Sequence, residues 1–451
     1  MRFGLPLLPM MLLTHAVYAA DIQTDQYQIT FPDNDRVGYH GKWQARFPNG
    51  FPMGVGSGLT FIRREGGKLI FVTVTDRGPN ADAPEFQGKE AKIFAAPDFT
   101  PAIMTITVDT KSAQATALHP LHDESGPASG LPLPGTLIGT TNEVALNDVL
   151  QTLPNDRRGL DTEGITPDGL GGFWISDEYG PFLIQTDTQG KILKKVGPTP
   201  LNGEQGIASG LPNILKWRQP NRGFEGITRM PDGRILAAVQ STLNIDGKTQ
   251  NKALFTRLVS FDPATGKTAM YGYPLDAEKW KKTGDAKIGD MVALNDHEVL
   301  VIEQGADKDQ VMHNLIYRVD LDGASDLTSL DTTQPPEWND AETLKKRGIV
   351  LAKKQQLVDL RQLGWKPEKA EGLALIDTST LAVTNDNDFG LQSVLINPAN
   401  GVKKIGKYQV GSDAKLSLNG QQVNTQLELE PLPKDEATSQ LWIIHLPQPL
   451  Q

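Results

Sequence analysis

From residue 57 onward the chain alternates short apolar runs with turn-forming residues, and the runs recur in a common order. "KLIFVTV", "GFWIS", "RILAAV", "EVLVIE", "TLAVTN" and "LWIIHL" are strand-length stretches rich in β-branched and aromatic residues. Most follow an apolar stretch and a turn signal such as "PDG" or "ND", a strand–turn–strand pattern. Further strands are predicted in "FLIQTDTQGKILKKV", "LVSFDPATGKTAMYGY" and "LIYRVDLDG", with hairpin tips at "TDTQGKI" and "DPATGK". Two stretches have helical patterning instead, "TNEVALNDVLQTL" and "NDAETLKKRG".

The runs belong to a repeat. Glu163-Gly164-Ile165, Glu225-Gly226-Ile227 and Glu371-Gly372-Leu373 align, with weaker copies at Ser57-Gly58-Leu59, Asp290-Met291-Val292 and Glu430-Pro431-Leu432. Four strands per copy is the content of a propeller blade, whose usual period is about 40–50 residues. The intervals here are longer, 62 residues from Glu163 to Glu225, then 65 to Asp290 and 81 to Glu371, so loops and insertions take up the excess. The fold class is therefore all-β, a six-bladed β-propeller. The N-terminal "QYQITF" and "KWQARF" would join the two C-terminal strands to close the ring and remove exposed sheet edges. Seven blades follow if the long interval from Ser57 to Glu163 conceals another.

In such a ring the starts of equivalent inner strands converge on the axis. Ser57, Glu163, Glu225, Asp290, Glu371 and Glu430 would meet there, and all but Ser57 carry carboxylates. Second-strand ends add Asp76, Asp177, Glu178, Gln240, Glu303 and the run Asn385 to Asp388. Converging like charges repel and pay for desolvation, so a compensating cation is expected. Calcium, which takes several oxygen ligands at flexible geometry, suits the set, with Glu163, Asp177, Glu225, Asp290, Glu303 and Glu371 as its ligands. Each carboxylate also has a plainer reading as a turn residue, a strand cap or the partner of Arg222, Arg229 or Arg257. Arg77, Arg222 and Lys308 are candidates to hold an anionic substrate group.

The chain has 451 residues, 38% of them hydrophobic, with 44 glycines and 31 prolines, a balance suited to many short elements. Its first twenty residues have the form of a secretory signal: Arg2, the apolar "LPLLPMMLL", and small residues around Ala19 and Ala20. Residues 21–451 then form a single domain. The absence of cysteine excludes disulfides and lipid attachment at a cysteine, and a periplasmic or secreted protein without a membrane span is expected. A formal charge of −10 argues against nucleic-acid binding. No serine-nucleophile elbow, phosphate-binding glycine loop or paired metal-binding histidine motif occurs, which leaves metal-assisted attack by water. A carboxylate not engaged with metal, Glu178 or Asp388, would be the general base.

"DTEGITPDGLGGFWISDEYGP", "NRGFEGITRMPDGRILAAVQS" and "AEGLALIDTSTLAVTNDNDFG" together resemble the phytase-like family, described by esterase-like activity of phytase. The resemblance implies a secreted bacterial β-propeller related to phosphoester chemistry, and in true propeller phytases that chemistry is calcium-dependent. The expected protein is a monomeric calcium-dependent hydrolase of a small anionic phosphoester or other ester. A non-catalytic propeller binding a ligand or envelope partner around a structural calcium is the second expectation, and a lactonase-like enzyme the third.

Overall fold

The computed structural model describes residues 22–32, 36–200, 206–330 and 334–450; the expected signal segment lies outside them. Among the described residues no helix is long and apolar enough to cross a membrane. The chain is strand-rich, and its main strands form five four-stranded antiparallel blades, the first and fifth joined by a parallel pairing of Ile29 and Thr30 with Ala113 and Gln114 into one eight-stranded sheet. Blade 1 runs outward through Leu59–Glu65, Lys68–Val74, Ala102–Val108 and Ala113–Pro120. Blade 2 uses Thr162–Pro167, Phe173–Asp177, Phe182–Thr186 and Ile192–Gly197. Blade 3 uses Phe224–Arg229, Ile235–Val239, Phe255–Phe261 and Thr268–Pro274. Blade 4 uses Lys287–Ala293, Glu298–Ala306, Met312–Asp320 and Lys353–Asp359. Blade 5 combines Gly372–Asp377, Thr380–Thr384 and Gln440–His445 with the N-terminal Gln23–Thr30. The innermost strands pack against one another in chain order, and the fifth packs against the first.

Six blades are thus corrected to five among the described residues. Closure by both termini is present, since "QYQITF" lies in the outer strand of blade 5 beside "LWIIHL". "KWQARF" forms turns instead. The copy begun at Glu430 is not a blade: Gln426–Pro431 pairs with Leu391–Ile396, away from the ring. Between the second and third strands of blade 5 the chain leaves the propeller and builds a lobe over residues 391–433. Leu391, Leu427 and Leu429 are buried there in one apolar cluster with Phe51, Tyr408 and Phe389. Burial at about 1.5–3 kcal/mol per large side chain outweighs continuation of the repeat.

The helical expectation for residues 141–153 also fails. Val144–Leu146 pairs in parallel with the Ala91–Phe94 strand, and Asn142 and Leu150 take positive φ. Tertiary pairing overrides local pattern there. "NDAETLKKRG" does contain a helix, Ala341–Lys346, capped by the Asp340 side chain accepting the Thr343 N–H.

Candidate functional site

Inner strands of blades 2, 3 and 4 each carry an irregularity at the same place: between Thr162 and Gly164, Phe224 and Ile227, and Ile288 and Met291. Beyond it the regular pairs are Ile165 with Ile175, Ile227 with Ala237 and Met291 with Val301; their counterparts are Leu59 with Thr73 and Leu373 with Val383. Counting back from these pairs makes Ser57, Glu163, Glu225, Gly289 and Glu371 equivalent. The next residue is Gly58, Gly164, Gly226, Asp290 or Gly372.

The repeated Glu-Gly pair has two physical causes. Glycine lets neighbouring inner strands meet at the axis: a Cβ at Gly164 would stand 2.8 Å from the Glu225 carbonyl oxygen, and one at Gly226 would stand 2.6 Å from that of Gly289. Glutamate, one residue earlier, supplies the acid. Blade 4 reverses this order. Asp290 occupies the glycine position, and its Oδ2 accepts the N–H groups of Leu59 at 3.0 Å and Leu373 at 2.9 Å, while Oδ1 accepts that of Met291 at 2.8 Å. Asp290 therefore links the inner strand of blade 4 to those of blades 1 and 5.

Second strands end in a matching set. Three residues beyond each regular pair stand Asp76, Glu178, Gln240, Gln304 and Asp386, all buried. Because strand side chains alternate between faces, the residue before each of these faces elsewhere. Asp177 and Glu303 fall on that alternate face. Two residues before the Glu position stand Val55, Asp161, Gly223, Lys287 and Lys369.

These positions form an acidic basin. One oxygen each from Glu163, Glu225 and Glu371 lies within 4.8 Å of the others, and the same holds for Asp161, Glu163 and Glu178. Glu163 belongs to both groups. It is 7% exposed and has no hydrogen-bond or ion-pair partner among the described residues. Gln240 Nε2 donates to Glu178 Oε1 at 2.7 Å and to Glu225 Oε2 at 2.8 Å. Gln304 Nε2 reaches Glu371 Oε1 at 3.4 Å, while its Oε1 accepts the Ala370 N–H and the Asn314 amide. Lys369 Nζ pairs with Asp386 at 2.6 Å and Asp388 at 2.8 Å.

Burial is the leading reason these carboxyls resist ionisation. Glu163 is pushed well above the usual range by burial and then by Glu225, and Glu225 by burial and then by Glu178. Glu178 rises to about 8 through burial and Asp161, with Lys287 and Arg77 opposing. Glu371 rises to about 7, held back chiefly by Lys369. Burial also disfavours ionised Asp388, but the Lys369 ammonium outweighs it and holds this carboxyl below its ordinary value.

Of the expected metal ligands, Glu163, Glu225 and Glu371 come together, and Glu178 joins Glu163 and Asp161. Asp177, Asp290 and Glu303 lie outside both groups. Asp177 accepts the Asp161 and Tyr179 N–H groups and lies 3.7 Å from Lys195. Asp290 is spent on backbone. Glu303 is held by Tyr273 at 2.6 Å, Trp280 at 3.2 Å and Lys354 at 2.6 Å.

The basic candidates are engaged with other groups or exposed. Arg77 is buried against Glu143 at 3.3 Å and Asp161 at 3.6 Å, and so neutralises the basin. Arg222 donates to the Gly284 carbonyl at 2.6 Å and to Ser241 at 3.0 Å. Lys308 is exposed, in the hairpin between the second and third strands of blade 4. Lys287, Lys369, Asp161 and Gln304 were not among the expected site residues. Counting register from the strand irregularity would have found them, but composition does not mark that irregularity.

An all-oxygen donor set around an unpartnered, buried Glu163 fits a hard divalent cation. Asp161 Oδ2, also buried, accepts no hydrogen bond.

The family model for phytase-like proteins, described as esterase-like activity of phytase, matches residues 52–389. An uncharacterized secreted protein of Arthroderma benhamiae (strain ATCC MYA-4681 / CBS 112371) is 32% identical over 134 residues, a stretch covering 26% of this chain and 26% of that one. Among solved structures, a streptogramin B lyase aligns over 80% of this chain and 94% of its own, at 14% identity and a TM-score of 0.31. A protein of unknown function from Dyadobacter fermentans DSM 18053 aligns over 94% of this chain and 99% of its own, at 10% identity and a TM-score of 0.32. At such scores these two likenesses add nothing to the strand pairing already described.

Proposed function

The chain belongs to the phytase-like family, and from that premise we propose that it is a calcium-dependent hydrolase of a phosphoester or other ester. The observation that carries this reading is Glu163, a buried carboxylate with no protein partner that is shared by two acidic groups. Glu163, Glu225 and Glu371 would hold the ion. When bound, calcium supplies Lewis acidity toward an ester or phosphoryl oxygen and makes water a better nucleophile.

Glu178 takes the proton from the attacking water as its oxygen bonds to phosphorus or acyl carbon, then returns it to the leaving oxygen. Gln240 orients Glu178 for this at 2.7 Å. Asp388 is the weaker candidate because Lys369 holds it ionised and paired. With Arg77 committed to Glu143 and Asp161, an anionic substrate would be drawn by the ion rather than by that guanidinium. Export to the periplasm or medium is part of the proposal; it rests on the N-terminal sequence and finds support in the secreted relative.

Hydrolysis of p-nitrophenyl phosphate, p-nitrophenyl acetate and a lactone panel, with calcium or with chelator, tests the reading. Calcium-dependent release of p-nitrophenol is expected. Turnover confined to lactones would favour the lactonase alternative. No turnover combined with large calcium stabilisation would favour a binding propeller.

A further inference from the structure

We propose that Lys369 is a tethered cation that neutralises Asp386 and Asp388 and keeps a further metal off that pair, confining metal to the group of Glu163, Glu225 and Glu371. The inference rests on the metal reading above and adds to it a residue that sets how many ions the basin takes. Lys369 stands at the register position that Asp161 holds in blade 2, so the same backbone site carries opposite charge on two sides of the ring. Its Nζ lies 2.6 Å from Asp386 Oδ2, 2.8 Å from Asp388 Oδ1 and 4.0 Å from Glu371 Oε2. Three carboxylates thus converge on one ammonium, an arrangement that would suit a cation if the lysine were absent.

The receiving loop is fixed independently of Lys369. Asn387 Nδ2 donates to the Ala437 carbonyl at 3.1 Å and to Ser439 at 3.0 Å, and its Oδ1 accepts the Phe389 N–H at 3.1 Å. Asp386 Oδ1 accepts the Asp388 N–H at 3.0 Å, and Asp388 and Phe389 both take positive φ. These contacts keep Asp386 and Asp388 aimed at the same point when the ammonium is removed. Glu163, by contrast, has no ion-pair partner of its own among the described residues, Arg77 being held by Glu143 and Asp161.

The test is calorimetric titration of calcium into chelator-treated wild type, Lys369→Met and Lys369→Arg, with thermal melts to verify folding. Lys369→Met is expected to bind one equivalent more than wild type, and Lys369→Arg the same number as wild type. Adding Asp388→Asn to Lys369→Met should abolish the gained equivalent. A folded Lys369→Met protein with wild-type or lower stoichiometry overturns the proposal. Lys369→Gln carries the same expectation should the methionine variant fail to fold. Wild type that binds no calcium would defeat the metal reading, while an equivalent gained by Lys369→Met would still uphold the role of the lysine.

Discussion

Stripping divalent metal and raising the pH from about 5 to about 8 should destabilise the protein, and Glu178 fixes the scale. Burial, then Asp161, raises its carboxyl from 4.5 to about 8. The unfolded chain releases this proton near the ordinary glutamate value, whereas the folded chain keeps it until about pH 8. Stability therefore falls as pH rises through that window, by about 1.4 kcal/mol per pH unit for one group. Between about pH 5 and about pH 7.5 Glu178 alone costs roughly 3 kcal/mol. Glu371, raised to about 7, and Asp177, raised to about 6, act in the same direction in the lower part of the window. Their fields overlap that of Glu178, so their costs do not simply add. Urea unfolding in chelator is the assay. With an m-value of roughly 3 kcal/mol per molar, the midpoint should drop by about 1 M. Calcium favours the ionised carboxylates and should remove the decline. A midpoint that is flat or higher at the upper pH in chelator refutes the reasoning.

Asp290→Ala leaves three buried N–H groups without an acceptor at roughly 1–3 kcal/mol each, partly offset by loss of a buried charge. A net loss of about 3 kcal/mol should lower the Tm by roughly 3 °C in a chain of this size, with calcium stoichiometry unchanged; lost calcium in a folded variant would return Asp290 to the ligand set. Glu303→Gln should leave calcium content at the wild-type level by elemental analysis, because Glu303 faces Tyr273, Trp280 and Lys354. Gly226→Ala places a Cβ 2.6 Å from the Gly289 carbonyl oxygen, a backbone atom with little room to yield, and should cost about 3 kcal/mol in urea unfolding.

Glu163, Glu225 and Glu371 were legible because three copies of the Glu-Gly pair obey two constraints at once, an acid at the axis and a glycine where strands converge. Blade 4 satisfies the same geometry with Gly289-Asp290, the two residue types exchanged, so matching acid to acid shifts the register by one. That slip gave Asp290 a ligand role and moved attention to Glu303, leaving Gln304, which faces Glu371, unmarked. Since strand side chains alternate, one residue of error exchanges the two faces. The blade count failed for a different reason. "LQSVLI" has the composition of a third strand, but burial in the 391–433 lobe takes it away, and "LWIIHL" fills its place from 50 positions farther along. Lys369 has no signature in composition. Its position becomes informative only when the loop bearing Asp386 and Asp388 folds back onto it.

Calcium titration of chelator-treated wild type against Glu163→Gln tests the central claim most directly. Wild type should bind calcium, and the folded variant should bind it at least ~tenfold more weakly, a loss of about 1.4 kcal/mol or more. Equal affinity in the two folded proteins, or no binding by wild type, would contradict the account.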